Sequence, residues 1–172
     1  MLSRYRSFIL PFCLTLLLVV TSVLSYRYYQ KNRLTSEATS NIMKIYNGEM
    51  AYYLSRSDSF QKNPTEFPFA LIPWTPTFPP TKASRDGGFK YDKRWNQLFF
   101  KEAQPVHYSY RVSQTLPEWY RGKIPQSPFF VVEATGDING NGIFSHFIRI
   151  GALTSDGKID TQYELQRHLP YE

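Results

Sequence analysis

Apolar residues fill the chain almost without interruption from Phe8 to Leu24, relieved only by Pro11, Thr15, Thr21 and Ser22. Beyond Arg27, Lys31 and Arg33 the pattern changes to apolar residues every third or fourth position: Leu34, Ala38, Ile42, Ile45, Tyr46, Met50, Tyr53 and Leu54. That spacing predicts an amphipathic helix with one buried stripe. Neither glycine nor proline falls between Phe12 and Tyr46, so one continuous helix is expected from the apolar block into the amphipathic one. The Phe8–Leu24 run would be about 25 Å long as a helix, close to the lower limit for the hydrocarbon core of a bilayer. Phe12, Leu16, Leu17 and Val20 are the residues expected to face lipid or neighbouring helices. Tyr5, Tyr26, Tyr28 and Tyr29 flank the run as interfacial aromatics do.

Period-two alternation takes over in the second half of the chain. Val106, Tyr108, Tyr110 and Val112 fall on one side of a predicted strand, and Phe129–Ala134 and Ile143–Leu153 form two more. Thr154-Ser155-Asp156-Gly157 reads as a hairpin turn into a last strand over Lys158–Tyr163. Between helix and strands, Pro64, Pro68, Pro73, Pro76, Pro79 and Pro80 alternate with Phe69, Leu71, Ile72, Trp74 and Phe78. Proline at that density excludes helix and central strand, so a loop pinned across the head by its aromatics is expected. Lys90–Phe100 reads as a short helical turn. The fold class that follows is α+β: a long N-terminal transmembrane and amphipathic helix packed on a small antiparallel β-sheet.

Composition narrows the choices. At 172 residues the chain suits one core plus an anchor. The net charge of +6 comes from scattered Lys and Arg without a dense basic stripe, so no nucleic-acid partner is expected. Cys13 is the sole cysteine and lies in the apolar block, which rules out an intrachain disulfide.

Chemistry-bearing patterns are few. Gly136-Asp137-Ile138-Asn139-Gly140-Asn141-Gly142-Ile143-Phe144-Ser145 resembles the first half of a calcium loop. Side chains of Asp137, Asn139 and Asn141, the Ile143 carbonyl and Ser145 would be the ligands of a Ca2+ ion. The twelfth position holds Ile148 rather than a bidentate acid, and only Asp137 is charged, so the affinity would be weak. The other reading is a glycine-rich hairpin whose Asn-Gly pairs supply positive backbone dihedrals. His107, His146 and His168 stand apart in sequence, and no nucleophile elbow, phosphate loop or paired metal-ligand spacing accompanies them. Neither catalysis nor a small-molecule substrate is expected.

Ser7-Phe8-Ile9-Leu10, the apolar helix after it, Ser36-Glu37-Ala38 and the Tyr-rich Ala51-Tyr52-Tyr53 together resemble the spine of a type IV pilin or type II secretion pseudopilin. The Asp137–Ser145 stretch with His146-Phe147 is similar to a late hairpin of some pilin-like proteins. The resemblance implies a basic leader (residues 1–7) cut between Ser7 and Phe8, a membrane segment (8–25), an amphipathic half (26–56) and a loop-and-sheet head (57–172). It also implies anchoring in the inner membrane with the head in the periplasm, or placement in a cell-surface filament beside other pilin-like subunits. The family usually has Gly where Ser7 stands and Glu where Phe12 stands; a few tip-type minor pseudopilins also lack that Glu. Val23-Leu24-Ser25 equally fits the end of a secretory signal, which would release a periplasmic or secreted binding module starting at Tyr26.

Overall fold

The computed structural model describes residues 2–62, 68–102, 104–160 and 162–171, with side chains of the N-terminal helix described from Pro11 and without Asp58, Gln61 and Lys62. Helix α1 (Leu2–Lys62) is followed by α2 (Lys93–Gln97), β1 (Tyr108–Ser113), β2 (Phe129–Gly136), β3 (Ser145–Leu153), β4 (Ile159–Asp160) and β5 (Gln166–His168). The fold is therefore α+β, a long N-terminal helix with a small antiparallel sheet. Two compact units divide the chain, Met1–Leu34 and Thr35–Glu172.

In the first unit the apolar side chains face outward; Phe12 is 70% exposed and Val20 46%. The hydroxyls within its apolar run bond to the helix itself. Thr15 Oγ1 donates to the Pro11 carbonyl at 2.8 Å, and Thr21 Oγ1 and Ser22 Oγ donate to the Leu17 and Leu18 carbonyls at 3.0 and 2.8 Å. One helix near the N-terminus is long and apolar enough to cross a membrane.

In the second unit most of the expected stripe is buried, with Ala38, Ile42, Ile45, Tyr46 and Tyr53 under the sheet. Met50 is only half-buried, and Leu54, one position past Tyr53 and so turned off that face, is 65% exposed. The Tyr46 ring sits 5.4 Å from Phe130, and Phe69 lies 4.7 Å from Phe130 and 5.7 Å from Tyr53. Each such side chain contributes about 1.5–3 kcal/mol by leaving water. The helix runs past the polar Ser55 to Lys62, farther than the apolar pattern marks, because Phe60 stacks on Tyr53 at 6.1 Å and is itself buried. Polar groups fix the register of helix on sheet. The Glu37 carboxylate accepts from the His107 amide and ring Nδ1 at 2.9 and 2.8 Å, and the Tyr110 hydroxyl donates to it at 3.3 Å. Asn41 Nδ2 donates to the Tyr110 hydroxyl at 3.1 Å.

Sheet order is β1-β2-β3-β4, all antiparallel, with β5 pairing on β3 beside β4. Strand β1 begins two residues later than its alternation suggests, since Val106 instead makes an isolated bridge to Arg85. The predicted last strand is reduced to Ile159–Asp160, and β5, which has no apolar alternation, takes the rest of that edge. The described part of the proline-rich segment, residues 68–80, pairs along the outer edge of β1 through Ile72 and Thr75. Ile72 and Val112 exchange two backbone bonds at 2.9 Å, and the Thr75 amide donates to the Tyr110 carbonyl at 2.9 Å. Trp74 stacks on Phe78 at 4.8 Å and receives the Arg111 guanidinium at 4.6 Å. Those aromatics pin the loop, and the loop blocks an otherwise open sheet edge.

Two residues in α1 break helix rules for packing reasons. Gly48 is helical, and a Cβ there would lie 2.2 Å from the Leu98 carbonyl oxygen. Intrinsic propensity favours Gly48→Ala by about 1 kcal/mol. A backbone clash of that depth costs about 1–3 kcal/mol, so the variant is expected to lower the urea midpoint of the head rather than raise it. Glu49 is fully buried: one carboxyl oxygen accepts from the Ala70 amide at 3.1 Å and the other has no partner. Burial raises its carboxyl to about 8, against 4.5 ordinarily, although the Ala70 amide opposes the shift. The neutral acid therefore stabilises the fold fully at low pH, and that contribution is lost as pH rises from 4.5 through about 8. By pH 7 the loss is on the order of 3 kcal/mol. Urea unfolding of Glu49→Gln should show a stability advantage over the native chain that grows between pH 5 and 8; a constant difference would contradict the assignment.

Candidate functional site

Three places follow from the sequence: the apolar helix surface, the Asp137 loop and the histidines. Phe12, Leu16, Leu17 and Val20 all lie on α1 with their side chains outward. They are joined by Leu14, Leu18, Val19, Val23 and Leu24, so the apolar surface surrounds the helix instead of forming one stripe. The Ser7 and Phe8 side chains, which flank the expected leader cut, lie outside the described ones.

The loop between β2 and β3 brings Asp137, Asn139 and Asn141 together, and their oxygens face the loop's own amides. Asp137 Oδ1 accepts from Gly140 and Asn141 at 2.8 and 3.1 Å, and Oδ2 from Gly142 at 3.1 Å. Asn139 Oδ1 accepts from the Asn141 amide at 2.9 Å, and Asn141 Oδ1 from the Ile143 amide at 2.8 Å. Gly140 and Gly142 have φ of 78° and 81°, the left-handed backbone that this amide convergence needs. Ser145 belongs to β3; its Oγ donates to the Gly136 carbonyl at 3.0 Å and is buried. Asp137 thus acts as the hub of a hairpin, an anion held by three backbone N–H groups. Among the described residues no group of three or more His, Cys, Asp or Glu side chains is placed to hold a metal ion.

Two of the three histidines, apart in sequence, come together in the fold. His107 pairs with Glu37. The β3–β5 ladder sets His168 directly opposite His146, with ring centroids 6.1 Å apart. Trp119 stacks on His168 at 5.2 Å with the planes 11° apart, and lies 6.2 Å from His146. His146 Nδ1 and Thr135 Oγ1 share a hydrogen bond of 3.0 Å. Burial, and secondarily the neighbouring His168, push the His146 imidazole below the ordinary value, favouring its neutral form. No local motif announces this cluster, because β5 has no strand-like pattern from which its pairing with β3 could be inferred.

The hub geometry makes a prediction about the loop. Asp137→Ala leaves the Gly140 and Gly142 amides without their acceptor, while the Asn141 amide keeps Asn139 Oδ1, and urea unfolding should show a loss on the order of 1–3 kcal/mol. The loss should be equal in millimolar calcium and in chelator; a larger loss with calcium would favour the cation-loop reading. No protein-family model, no curated protein and no solved structure matches the chain.

Proposed function

We propose that the chain is a pilin-like structural subunit, a minor pilin or pseudopilin, of a type IV filament or type II secretion assembly. Its role is architectural rather than catalytic. The observation that carries this reading is the change of character along α1. One unbroken helix, Leu2–Lys62, has an all-round apolar exposed surface between Phe12 and Leu24 and a one-sided buried stripe under an antiparallel sheet in its second part.

Such a helix has two solvents to satisfy. The Phe8–Leu24 stretch has its backbone bonded internally and its hydroxyls bonded to preceding carbonyls, which is the condition for lying in hydrocarbon. The same side chains, once outside the bilayer, would have to be buried among the helices of neighbouring subunits. Membrane anchoring and filament assembly are thus two uses of one surface. Head placement in the periplasm and processing at Ser7–Phe8 complete the proposal. Phe12, where the family has its docking Glu, is apolar and exposed, which favours a minor position such as the filament tip over a repeated one.

The test is the mass and location of the protein produced in a bacterium with a filament or secretion assembly of this kind. The chain is expected in the inner-membrane fraction, resistant to carbonate extraction, with its N-terminus at Met1 or Phe8. It is also expected in filaments sheared from the surface, or cross-linked to the other subunits. A soluble exported chain starting at Tyr26 would establish the secreted-module alternative. A membrane-bound chain that never accompanies the assembly would reduce the helix to a simple anchor.

A further inference from the structure

Packing alone accounts for most aromatic contacts in the head, but the cluster on the face of the sheet away from α1 has an additional chemical character. Its centre is two imidazoles on directly opposed residues of β3 and β5. Opposed residues of an antiparallel pair hold their Cβ atoms about 4.5–5.5 Å apart, a span that lets two histidines reach one ion. Two imidazoles bound to the same metal through bonds of about 2.0–2.1 Å have ring centroids roughly 4.5 Å apart at a right-angled ligand pair and roughly 6.4 Å apart at a linear one. His146 and His168 stand at 6.1 Å before any ion is added.

The surroundings match what such a ligand pair needs. The His146 Nδ1 is engaged by Thr135 Oγ1, which orients the ring and leaves Nε2 as the coordinating atom. Trp119, stacked on His168 and close to His146, holds the second ring in place. Phe144 lies edge-on to His146 at 6.5 Å. Both histidines are partly exposed, so an ion can enter and water can complete its coordination.

We propose that His146 and His168 form a two-imidazole site for a divalent late transition metal, tightest for copper(II), with Thr135 as the residue that orients His146. Nitrogen donors favour this class of ion over calcium or magnesium, and among first-row divalent ions copper binds such donors most strongly. With two protein ligands the site is open and exchangeable rather than a closed structural one. An ion bridging β3 to β5 would tie the short C-terminal strand to the centre of the sheet.

The experiment is equilibrium dialysis of the full chain in detergent micelles against copper(II), with electron paramagnetic resonance of the bound ion. About one copper per chain is expected, with splitting from two nitrogen ligands. His168→Gln, at the sheet edge where folding is least at risk, should weaken binding at least ~10-fold and leave splitting from one nitrogen. Thr135→Val should weaken binding roughly 10-fold while keeping both nitrogens, as loss of an orienting partner does. Cys13→Ser and His107→Gln should bind copper as the native chain does. No stoichiometric binding at micromolar copper, or binding that His168→Gln leaves unchanged, would overturn the proposal.

Discussion

Tyr46 lies with its ring 5.4 Å from Phe130 and beside the bare backbone of Gly151, and the head is arranged around that close approach. A Cβ at Gly151 would come within 2.4 Å of the Phe130 ring and 3.1 Å of Tyr46. Gly48, one turn along the helix from Ile45, does the same for the Leu98 backbone. Helix and head therefore touch at two places where a side chain has been left out, and the apolar stripe of α1 fills the space between them. Packing at that density makes the contact sensitive to single methyl groups.

Around this apolar contact the polar groups divide into those that fix position and those that cost stability. Glu37 gathers the His107 amide and ring and the Tyr110 hydroxyl, so one helix carboxylate sets where β1 begins. Arg149 lies over the Tyr46 ring at 4.5 Å, giving the helix face a cationic cover from β3. Glu49 does the opposite: it is buried with one oxygen unpartnered, and only the Ala70 amide compensates it. A buried neutral acid is tolerated because the surrounding contact is strong enough to hold it.

Much of this fold was legible in advance. The alternation in Tyr108–Val112 marked one strand, and the β-branched and aromatic run Phe129–Ala134 marked another that is buried on both faces, against α1 on one side and loops on the other. The three- and four-residue spacing from Ala38 to Tyr53 marked the buried helix face. What stayed hidden depends on contacts distant in sequence. β5 reads as polar because Gln166-Arg167-His168 is an edge strand with only three paired residues. The His146–His168 pair inherits that obscurity. The Asp137 loop showed both its oxygens and its glycines in the sequence, but only the geometry reveals that those oxygens close on the loop's own amides. Gly48 signals nothing by itself, since the Leu98 carbonyl that requires it comes from the far end of α2.

The central claim is that the first part of α1 meets lipid while its continuation is the core of the head. Cys13, the sole cysteine and exposed within that segment, is a native attachment point for a spin label. In liposomes containing the full chain, the label should collide more often with dissolved oxygen, which concentrates in hydrocarbon, than with a water-soluble nickel chelate. Collisions dominated by the nickel chelate would place Cys13 in water and contradict the account.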